Sequence, residues 1–331
     1  MNKKERIEGF VQEIWAWYSR HKRALPWRDL KDTDDTERAY KILVSEVMLQ
    51  QTQVSRVIII FRQFLETFPT IQDLAKATNK EVIVAWKGMG YNSRALRLRD
   101  AARTIVDQYA GIFPQKYDQL LAIKGIGPYT AAAIRNFAFN IPTPCIDTNI
   151  RRILHRTFFG PENADGSFEK SDKELMKTAK EVLHVAIHSQ FSILNSQFRH
   201  GSADWHAALM DFGSLIQTKN NPKWDICPLT AKGIMKTTSK NFFRHTTFDI
   251  RHTRPEPGRM EGSKYVPNRI FRGRIVDQLR EESTGLTLEK IGSNICNDWG
   301  RTHQQWLKKI LEKLERDEII AKKGAVFLLK E

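Results

Sequence analysis

The 331-residue sequence has few cysteines, no long apolar run and a shortage of acidic residues. Its three cysteines, Cys145, Cys227 and Cys296, lie far apart, which argues against a disulfide framework or a metal-ligand cluster and favours a reducing compartment. No segment approaches the length of a membrane span, and the charged N-terminus lacks the apolar core of a signal peptide. We therefore expect a cytoplasmic protein that makes no contact with a membrane.

Basic residues are in clear excess. The chain contains 53 Lys and Arg against 38 Asp and Glu, a formal net charge of +15. A polyanion partner is the economical explanation, whereas a basic surface that only aids solubility is the plainer alternative. The length suits two domains with a sizeable core.

Most of residues 1–217 have the apolar periodicity of helices, for example Ile7 to Tyr18, Val54 to Phe68 and Ala101 to Tyr109. Few alternating strand patterns compete, so this part predicts an all-α domain. In residues 218–262 the periodicity fades and basic residues dominate, which indicates a linker.

Residues 263–331 predict a small, winged-helix-like α/β domain. Helical patterns at Arg269–Glu282, Leu286–Ile295 and Thr302–Arg316 precede two short strand patterns in Glu318–Leu329. The third helix is then the candidate DNA-groove reader, through Arg301, Gln304, Gln305 and Lys308. A dimerisation or partner-docking module stays open as the alternative.

The segment Leu120–Ile134, LLAIKGIGPYTAAAI, is the most informative part of the chain. Gly125 and Gly127 allow a tight turn and a close approach of the backbone to a partner. Pro128 suits the first turn of the following helix, whose free N–H groups can hold a DNA phosphate. The pattern predicts a helix-hairpin-helix, and Asp147, about one helix downstream, would reach the same cleft.

Several linked motifs resemble those of the helix-hairpin-helix DNA glycosylases. They occur in the order LPWR at 25–28, SEVMLQQTQ at 45–53, GMGY at 88–91, KGIGPYT at 124–130 and IDTN at 146–149. The second is similar to the adenine glycosylases of the MutY type, and the similarity covers roughly residues 10–230. It implies two helical subdomains flanking a cleft, and a monomer that acts on double-stranded DNA containing a mismatched or damaged base, in the cytoplasm with the nucleoid.

The resemblance also assigns the catalytic residues. It implies that Asp147 stabilises the positive charge that develops on the sugar, although the sequence alone favours a helix cap at this position. Asn149 supports that carboxylate, and Glu46, in an apolar stretch, donates the proton that lets the base leave. Tyr129 stands where bifunctional relatives carry a lysine, so no Schiff base and no strand cleavage are expected.

Residues that distort or bind DNA follow from the same resemblance. A base must be flipped out of the duplex before it can be attacked. Gln50 and Gln51 match the loop that fills the gap, and Tyr91 matches the intercalating aromatic residue. The remaining DNA-binding candidates are Arg28, Thr52, Arg94, Lys124, Gly125, Gly127 and Thr130.

The chain departs from the family at two places. Most members hold an iron–sulfur cluster with four cysteines, and the corresponding residues here are Gln217, Trp224, Cys227 and Gly233. One thiolate cannot hold such a cluster, so neither a metal nor another cofactor is expected. Residues 263–331 are also too short for the domain with which MutY-type enzymes recognise 8-oxoguanine.

The resulting hypothesis is a monofunctional DNA glycosylase of base excision repair that removes a mispaired base. Adenine opposite 8-oxoguanine or guanine is favoured, because Glu46 lies in SEVMLQQTQ. Removal of thymine or uracil opposite guanine is the alternative. A DNA-binding protein without catalysis is the alternative from another class, and a transcription regulator acting through the winged helix is a weaker one.

Overall fold

The structure, a computed structural model, describes residues 1–28, 30, 34–188, 201–242 and 256–331. Residues 243–255, within the predicted linker, lie outside the described residues. No helix in the described ranges is long and apolar enough to cross a membrane. The elements in chain order are α1 (Lys3–His21), α2 (Asp35–Leu49), α3 (Val54–Thr67), α4 (Ile71–Lys76), α5 (Asn79–Ala85), α6 (Ser93–Tyr109), α7 (Tyr117–Ala122), α8 (Pro128–Phe137), α9 (Thr148–Phe158), α10 (Asp172–His188), α11 (Ser202–Leu215), α12 (Pro228–Ala231), β1 (Gly258–Glu261), β2 (Lys264–Pro267), α13 (Asn268–Glu281), β3 (Leu286–Thr287), α14 (Leu288–Ile295), α15 (Gln304–Arg316), β4 (Ile320–Lys323) and β5 (Val326–Leu329).

Internal contacts divide the chain into two units that interleave along the sequence. Unit 1 comprises residues 1–42, 114–122 and 126–253, and unit 2 comprises residues 43–113, 123–125 and 254–331. The chain therefore passes between the units within α2 and again within the predicted hairpin. The division into consecutive segments 1–217, 218–262 and 263–331 stays a prediction.

Several helices begin at residues whose side chains satisfy free backbone N–H groups. The Asn2 side chain accepts from the Glu5 backbone at 2.9 Å, while the Glu5 carboxylate accepts from the Asn2 backbone at 3.0 Å. The same reciprocal arrangement starts α4 at Thr70 and α5 at Thr78. Such capping boxes fix where a helix begins.

The core of unit 1 is rich in aromatic side chains. Phe10 and Trp15 of α1 pack against Trp205 of α11, with ring centroids 6.1 and 5.4 Å from its ring. The indole nitrogen of Trp15 donates to the Ala186 carbonyl at 3.2 Å, so its buried polar atom is satisfied. Helices α8 and α9, which begin at the predicted functional residues, pack against α11.

In unit 2 the C-terminal elements share a core with the helices that precede them. Ile83 of α5 and Leu96 of α6 belong to the same buried cluster as Phe271 and Ile275 of α13. The Asn79 side chain adds a hydrogen bond of 2.7 Å to the Glu318 carbonyl. The C-terminal elements are therefore anchored on α5 and α6.

The C-terminal elements comprise the antiparallel β1–β2 hairpin, the helices α13, α14 and α15, and a three-stranded sheet of order β3–β5–β4. Strand β5 pairs antiparallel with both neighbours, with Phe327 opposite Leu286 and Leu329 opposite Ile320. The predicted fold class, all-α with a small C-terminal α/β part, is confirmed. Leu286 and Thr287, which the periodicity placed in a helix, form β3 because they pair with Phe327 and Val326, which lie 41 and 39 positions away in sequence.

Candidate active site

Asp147 lies at the start of α9 and caps that helix. One carboxylate oxygen, Oδ1, accepts a hydrogen bond of 2.6 Å from the Ile150 backbone nitrogen. The capping that the sequence alone favours is therefore present. The second oxygen, Oδ2, accepts a hydrogen bond of 3.0 Å from Nδ2 of Asn149. Two donors thus fix the orientation of this half-buried carboxylate.

Asn149 is itself held in place by two residues that the sequence analysis missed. Nη2 of Arg152 donates to Oδ1 of Asn149 at 2.6 Å and to the Gly213 carbonyl at 2.9 Å. A Cβ at Gly213 would lie 2.6 Å from that of Asn149, so only glycine lets α11 pack this closely. A glycine inside a helical pattern was the signal that could have revealed this contact.

The pKa values in this cluster reflect burial opposed by specific partners. Burial raises the pKa of Asp147, whereas the hydrogen bonds from Ile150 and Asn149 and the charge of Arg152 act in the opposite direction. Burial also lowers the pKa of Arg152 to about 10, which leaves its guanidinium charged at neutral pH.

Glu46 lies in α2, in the part of that helix that belongs to unit 2. It is 6% exposed, and its neighbours Ser45 and Val47 are buried as well. A glutamate facing solvent is therefore excluded. Desolvation of a carboxyl favours its protonated form, which is what a proton donor needs near neutral pH.

The predicted DNA-distorting residues lie on two turns of unit 2. Gln50 and Gln51 are exposed after α2, and Tyr91 is 50% exposed before α6. Gln51 has φ of 56° and Tyr91 has φ of 46°, a left-handed conformation that is rare for residues other than glycine. Such conformations persist only where the surrounding structure enforces them.

Arg94 holds both turns in these conformations. This structural role differs from the phosphate contact that was predicted for Arg94. Its side chain is 5% exposed, and Nη1 donates to the backbone carbonyls of Val47, Met48 and Gln50. Nη2 donates to Oγ1 of Thr52 at 3.1 Å and to the Met89 carbonyl at 3.1 Å. Arg94 therefore ties the two turns together and is not available to a phosphate.

Arg28 forms an ion pair with a buried carboxylate. Its Nη1 pairs with Oδ2 of Asp211 at 2.7 Å, and Nε of Arg23 pairs with Oδ1 at 2.7 Å. Asp211 is fully buried in α11 and was missed by the sequence analysis. The guanidinium of Arg28 compensates this buried charge and so stabilises unit 1, while its predicted contact with a DNA phosphate stays a prediction.

The predicted hairpin has the backbone expected of it. Gly125 has φ of 99°, and a Cβ there would lie 3.3 Å from the Arg97 carbonyl oxygen. Lys124 is exposed, and the first intrahelical bond of α8 runs from Ala131 to Gly127, which leaves the earlier N–H groups at the helix start. The Thr130 side chain is buried, and its predicted contact with DNA stays a prediction.

Comparisons with known proteins identify the family of this chain. Residues 44–184 match the model of the HhH-GPD superfamily of base excision DNA repair proteins. An adenine DNA glycosylase of Mycolicibacterium smegmatis is 33% identical over 275 residues, covering 83% of this chain and 82% of that protein. The chain belongs to the HhH-GPD superfamily, and it is a DNA glycosylase.

Other relatives of this glycosylase are longer. The adenine DNA glycosylase of Homo sapiens is 36% identical over 228 residues, covering 67% of this chain but 38% of the human protein. Among solved structures, a thermostable thymine-DNA glycosylase is 25% identical with a TM-score of 0.57, covering 70% of this chain and 96% of that one. An endonuclease III–DNA complex with 19% identity and a TM-score of 0.54 supports the fold alone.

The residues of this glycosylase do not fit the iron–sulfur cluster of its family. Cys227 is buried, where Nε2 of Gln217 lies 3.4 Å from its Sγ and the Met235 sulfur lies 3.8 Å away. The described ranges hold no group of three or more His, Cys, Asp and Glu that could bind a metal ion. One thiolate among apolar and amide groups cannot replace four.

A buried arginine, Arg156, contacts this segment. Arg156 of α9 pairs with Glu162 at 2.7 Å and donates to Oε1 of Gln217 at 3.2 Å. Its guanidinium also lies against the rings of Trp224 and Phe242, at 5.9 and 4.7 Å from their centroids. These contacts connect α9 to the segment that carries the cluster cysteines in other family members.

Tyr129 lies in the first turn of α8, where it is half-buried against the core of unit 1. Its phenol has no amine that could attack the sugar. The predicted absence of Schiff-base chemistry at this position stays a prediction.

Proposed function

We propose that this DNA glycosylase removes adenine paired with 8-oxoguanine or guanine and leaves the abasic strand intact. The orientation of the Asp147 carboxylate by Ile150 and Asn149 is the observation that carries the proposal. A preorganised negative group is the strongest means of stabilising a cationic transition state. The choice of adenine is supported by relatives named adenine DNA glycosylase that are 33% and 36% identical.

The reaction begins with extrusion of the adenine nucleotide from the duplex. Gln50, Gln51 and Tyr91 enter the space that the nucleotide leaves. Because Arg94 already holds both turns in their left-handed conformations, little ordering entropy remains to be lost when DNA binds.

Bond cleavage then requires one acid and one anion. The Glu46 carboxyl transfers its proton to a ring nitrogen of adenine, and the C1′–N9 bond breaks with its electron pair moving to the base. The carboxylate of Asp147 stabilises the oxocarbenium ion of the sugar. A water molecule adds to C1′ and releases a proton, which gives the abasic site and free adenine.

A panel of mismatched duplexes tests the substrate assignment. Single-turnover excision is measured on duplexes with A:8-oxoG, A:G, T:G and U:G centres. Adenine release from the first two supports the proposal, and activity confined to thymine or uracil overturns it. Thymine opposite guanine is a second candidate, because the thymine-DNA glycosylase shares the fold at 25% identity.

The absence of strand cleavage is tested with borohydride. A Schiff base between enzyme and abasic site would be reduced to a stable adduct, which gel electrophoresis detects. We expect no adduct with the wild-type enzyme and intact abasic strands until alkali is added. A covalent adduct formed by the wild type would contradict the role given to Tyr129.

A further inference from the structure

A groove of about 610 Å³ runs between the predicted DNA-distorting turns and helix α13, all within unit 2. One wall is formed by residues 51–53, Arg56 and residues 88–92. The other wall is one face of α13, from Arg269 to Arg280. The groove thus adjoins the residues that fill the gap left by an extruded nucleotide.

The two walls are held together by direct contacts. Arg280 of α13 donates from Nε to the Ile83 carbonyl at 3.1 Å and from Nη2 to Oδ1 of Asn92 at 3.2 Å. Asn92 directly follows Tyr91, and Ile83 lies in the core shared with α13. The position of α13 beside the Tyr91 turn is therefore fixed by packing and by hydrogen bonds.

The lining suits a nucleic-acid strand. Arg56 is exposed and donates to the Gly88 carbonyl at 3.1 Å, and the half-exposed Arg269 pairs with Glu256 at 2.8 Å. An exposed ion pair of this kind is worth little, so a phosphate can replace the carboxylate. Tyr91, at 50% exposure, and Ile270, at 39%, add apolar surface against which a base can stack.

Gly273 keeps the α13 wall open. A Cβ at this position would meet nothing within 4 Å, so no neighbouring side chain explains the glycine. Glycine inside a helix costs about 1 kcal/mol relative to alanine. The open space above Gly273 instead permits a close approach of a ligand backbone to α13.

We propose that this groove binds the strand opposite the extruded base, with phosphates at Arg56 and Arg269 and the orphaned nucleotide against Tyr91 and Ile270. The proposal rests on the proposed function, because a side chain that fills the gap faces the orphaned base across the duplex. Helix α13 would then contact the undamaged strand, while α15, the predicted groove reader, contributes no residue to this groove.

Two variants test the groove against matched controls. Gly273→Leu fills the open space, and Gly300→Leu adds the same side chain at a glycine with open surroundings outside the groove. Arg269→Ala removes a groove cation, and Arg316→Ala removes an exposed cation outside it. Binding is measured by fluorescence anisotropy with a duplex that carries a tetrahydrofuran abasic analogue opposite guanine.

We expect each groove variant to weaken binding about 10-fold, and Arg269→Ala to lower the slope of log affinity against log salt by about one. Both controls should bind like the wild type. Methylphosphonate linkages opposite the abasic analogue should cancel the effect of Arg269→Ala, whereas the same linkages in the abasic strand should leave it intact. The proposal is overturned if methylphosphonate linkages in the abasic strand cancel the effect of Arg269→Ala. It is also overturned if the groove variants bind DNA as tightly as the controls.

This binding assay needs no base excision. If the wild type excises no adenine but the coupling between Arg269 and the opposite strand is observed, the assigned substrate is wrong and the groove stands. If adenine is excised and the coupling is missing, the groove proposal alone fails.

Discussion

Asn149 donates from its side-chain nitrogen to Oδ2 of Asp147 over 3.0 Å, while its own oxygen accepts from Arg152 at 2.6 Å. The carboxylate that we assign to transition-state stabilisation is thus the end of a chain of hydrogen bonds that starts at a buried guanidinium. Such a chain fixes the direction of the Asp147 carboxylate and opposes the rise in its pKa that burial causes.

Replacement of Asn149 by alanine should slow excision by roughly 10- to 100-fold, because a hydrogen bond to a charged group contributes about 1.5–3 kcal/mol. Loss of this donor raises the pKa of Asp147 further, and activity requires the ionised form. The acid limb of the pH–rate profile should therefore move to higher pH. Asn163→Ala, in an exposed turn, is the control, and an unshifted profile in Asn149→Ala would contradict this role.

Arg94→Met should destabilise the enzyme by about 3 kcal/mol, because several buried carbonyls lose a charged donor. Arg97→Met, at an exposed site of the same helix, should change the free energy of unfolding by less than about 0.5 kcal/mol. Urea denaturation measures both values. Fluorescence of 2-aminopurine beside an abasic analogue should also show weaker distortion of DNA by Arg94→Met, and wild-type distortion would count against the assigned role.

Glu162→Gln should lower the free energy of unfolding by about 3 kcal/mol, since it leaves the charge of Arg156 buried without its anion. The control, Glu169→Gln, removes an exposed partner of Lys170 and should have an effect below about 1 kcal/mol. Equal stability of the two variants would show that Arg156 does not organise the region of the missing cluster.

The sequence predicted the helices of this protein well, because each carries its own apolar periodicity and several carry their own caps, as at Thr70. It predicted poorly wherever distant segments meet. The motifs predict phosphate contacts for Arg28 and Arg94, but nothing near these arginines in sequence indicates their partners, the buried Asp211 and the half-buried Thr52. Strand β1 falls in the predicted linker and β2 at the start of the predicted C-terminal domain, and neither strand was predicted, since a hairpin with four residues on each strand leaves little apolar pattern.

In the candidate site, too, local features were predicted and contacts between distant segments were not. Family motifs placed Glu46, Asp147 and Asn149 correctly in local structure, since burial and capping follow from neighbouring residues. Arg152 and Gly213 were missed because their contacts with Asn149 arise only when α11 packs against α9.

Acid should destabilise the enzyme partly through His206. This residue is buried in α11, its Nδ1 lies 2.8 Å from the Ser202 carbonyl, and burial lowers its pKa to about 4. The unfolded state therefore binds more protons than the folded state between about pH 6.5 and 4, so stability falls as the pH decreases through that window. The full contribution is about 3 kcal/mol.

His206→Gln should remove this part of the pH dependence, which urea denaturation between pH 7 and pH 4.5 measures. His184→Gln, on α10 next to His188, provides a matched control. If His206→Gln loses stability with acid as steeply as the wild type and the control, another group is responsible.

Single-turnover excision of adenine opposite 8-oxoguanine by Asp147→Asn tests the central claim most directly. Asparagine still caps α9, so folding should be retained and circular dichroism can verify it. We predict a loss of at least about 100-fold for Asp147→Asn, and a comparable loss for Glu46→Gln, because neither amide supplies the required charge or proton. A folded Asp147→Asn variant that releases adenine at the wild-type rate would contradict the account.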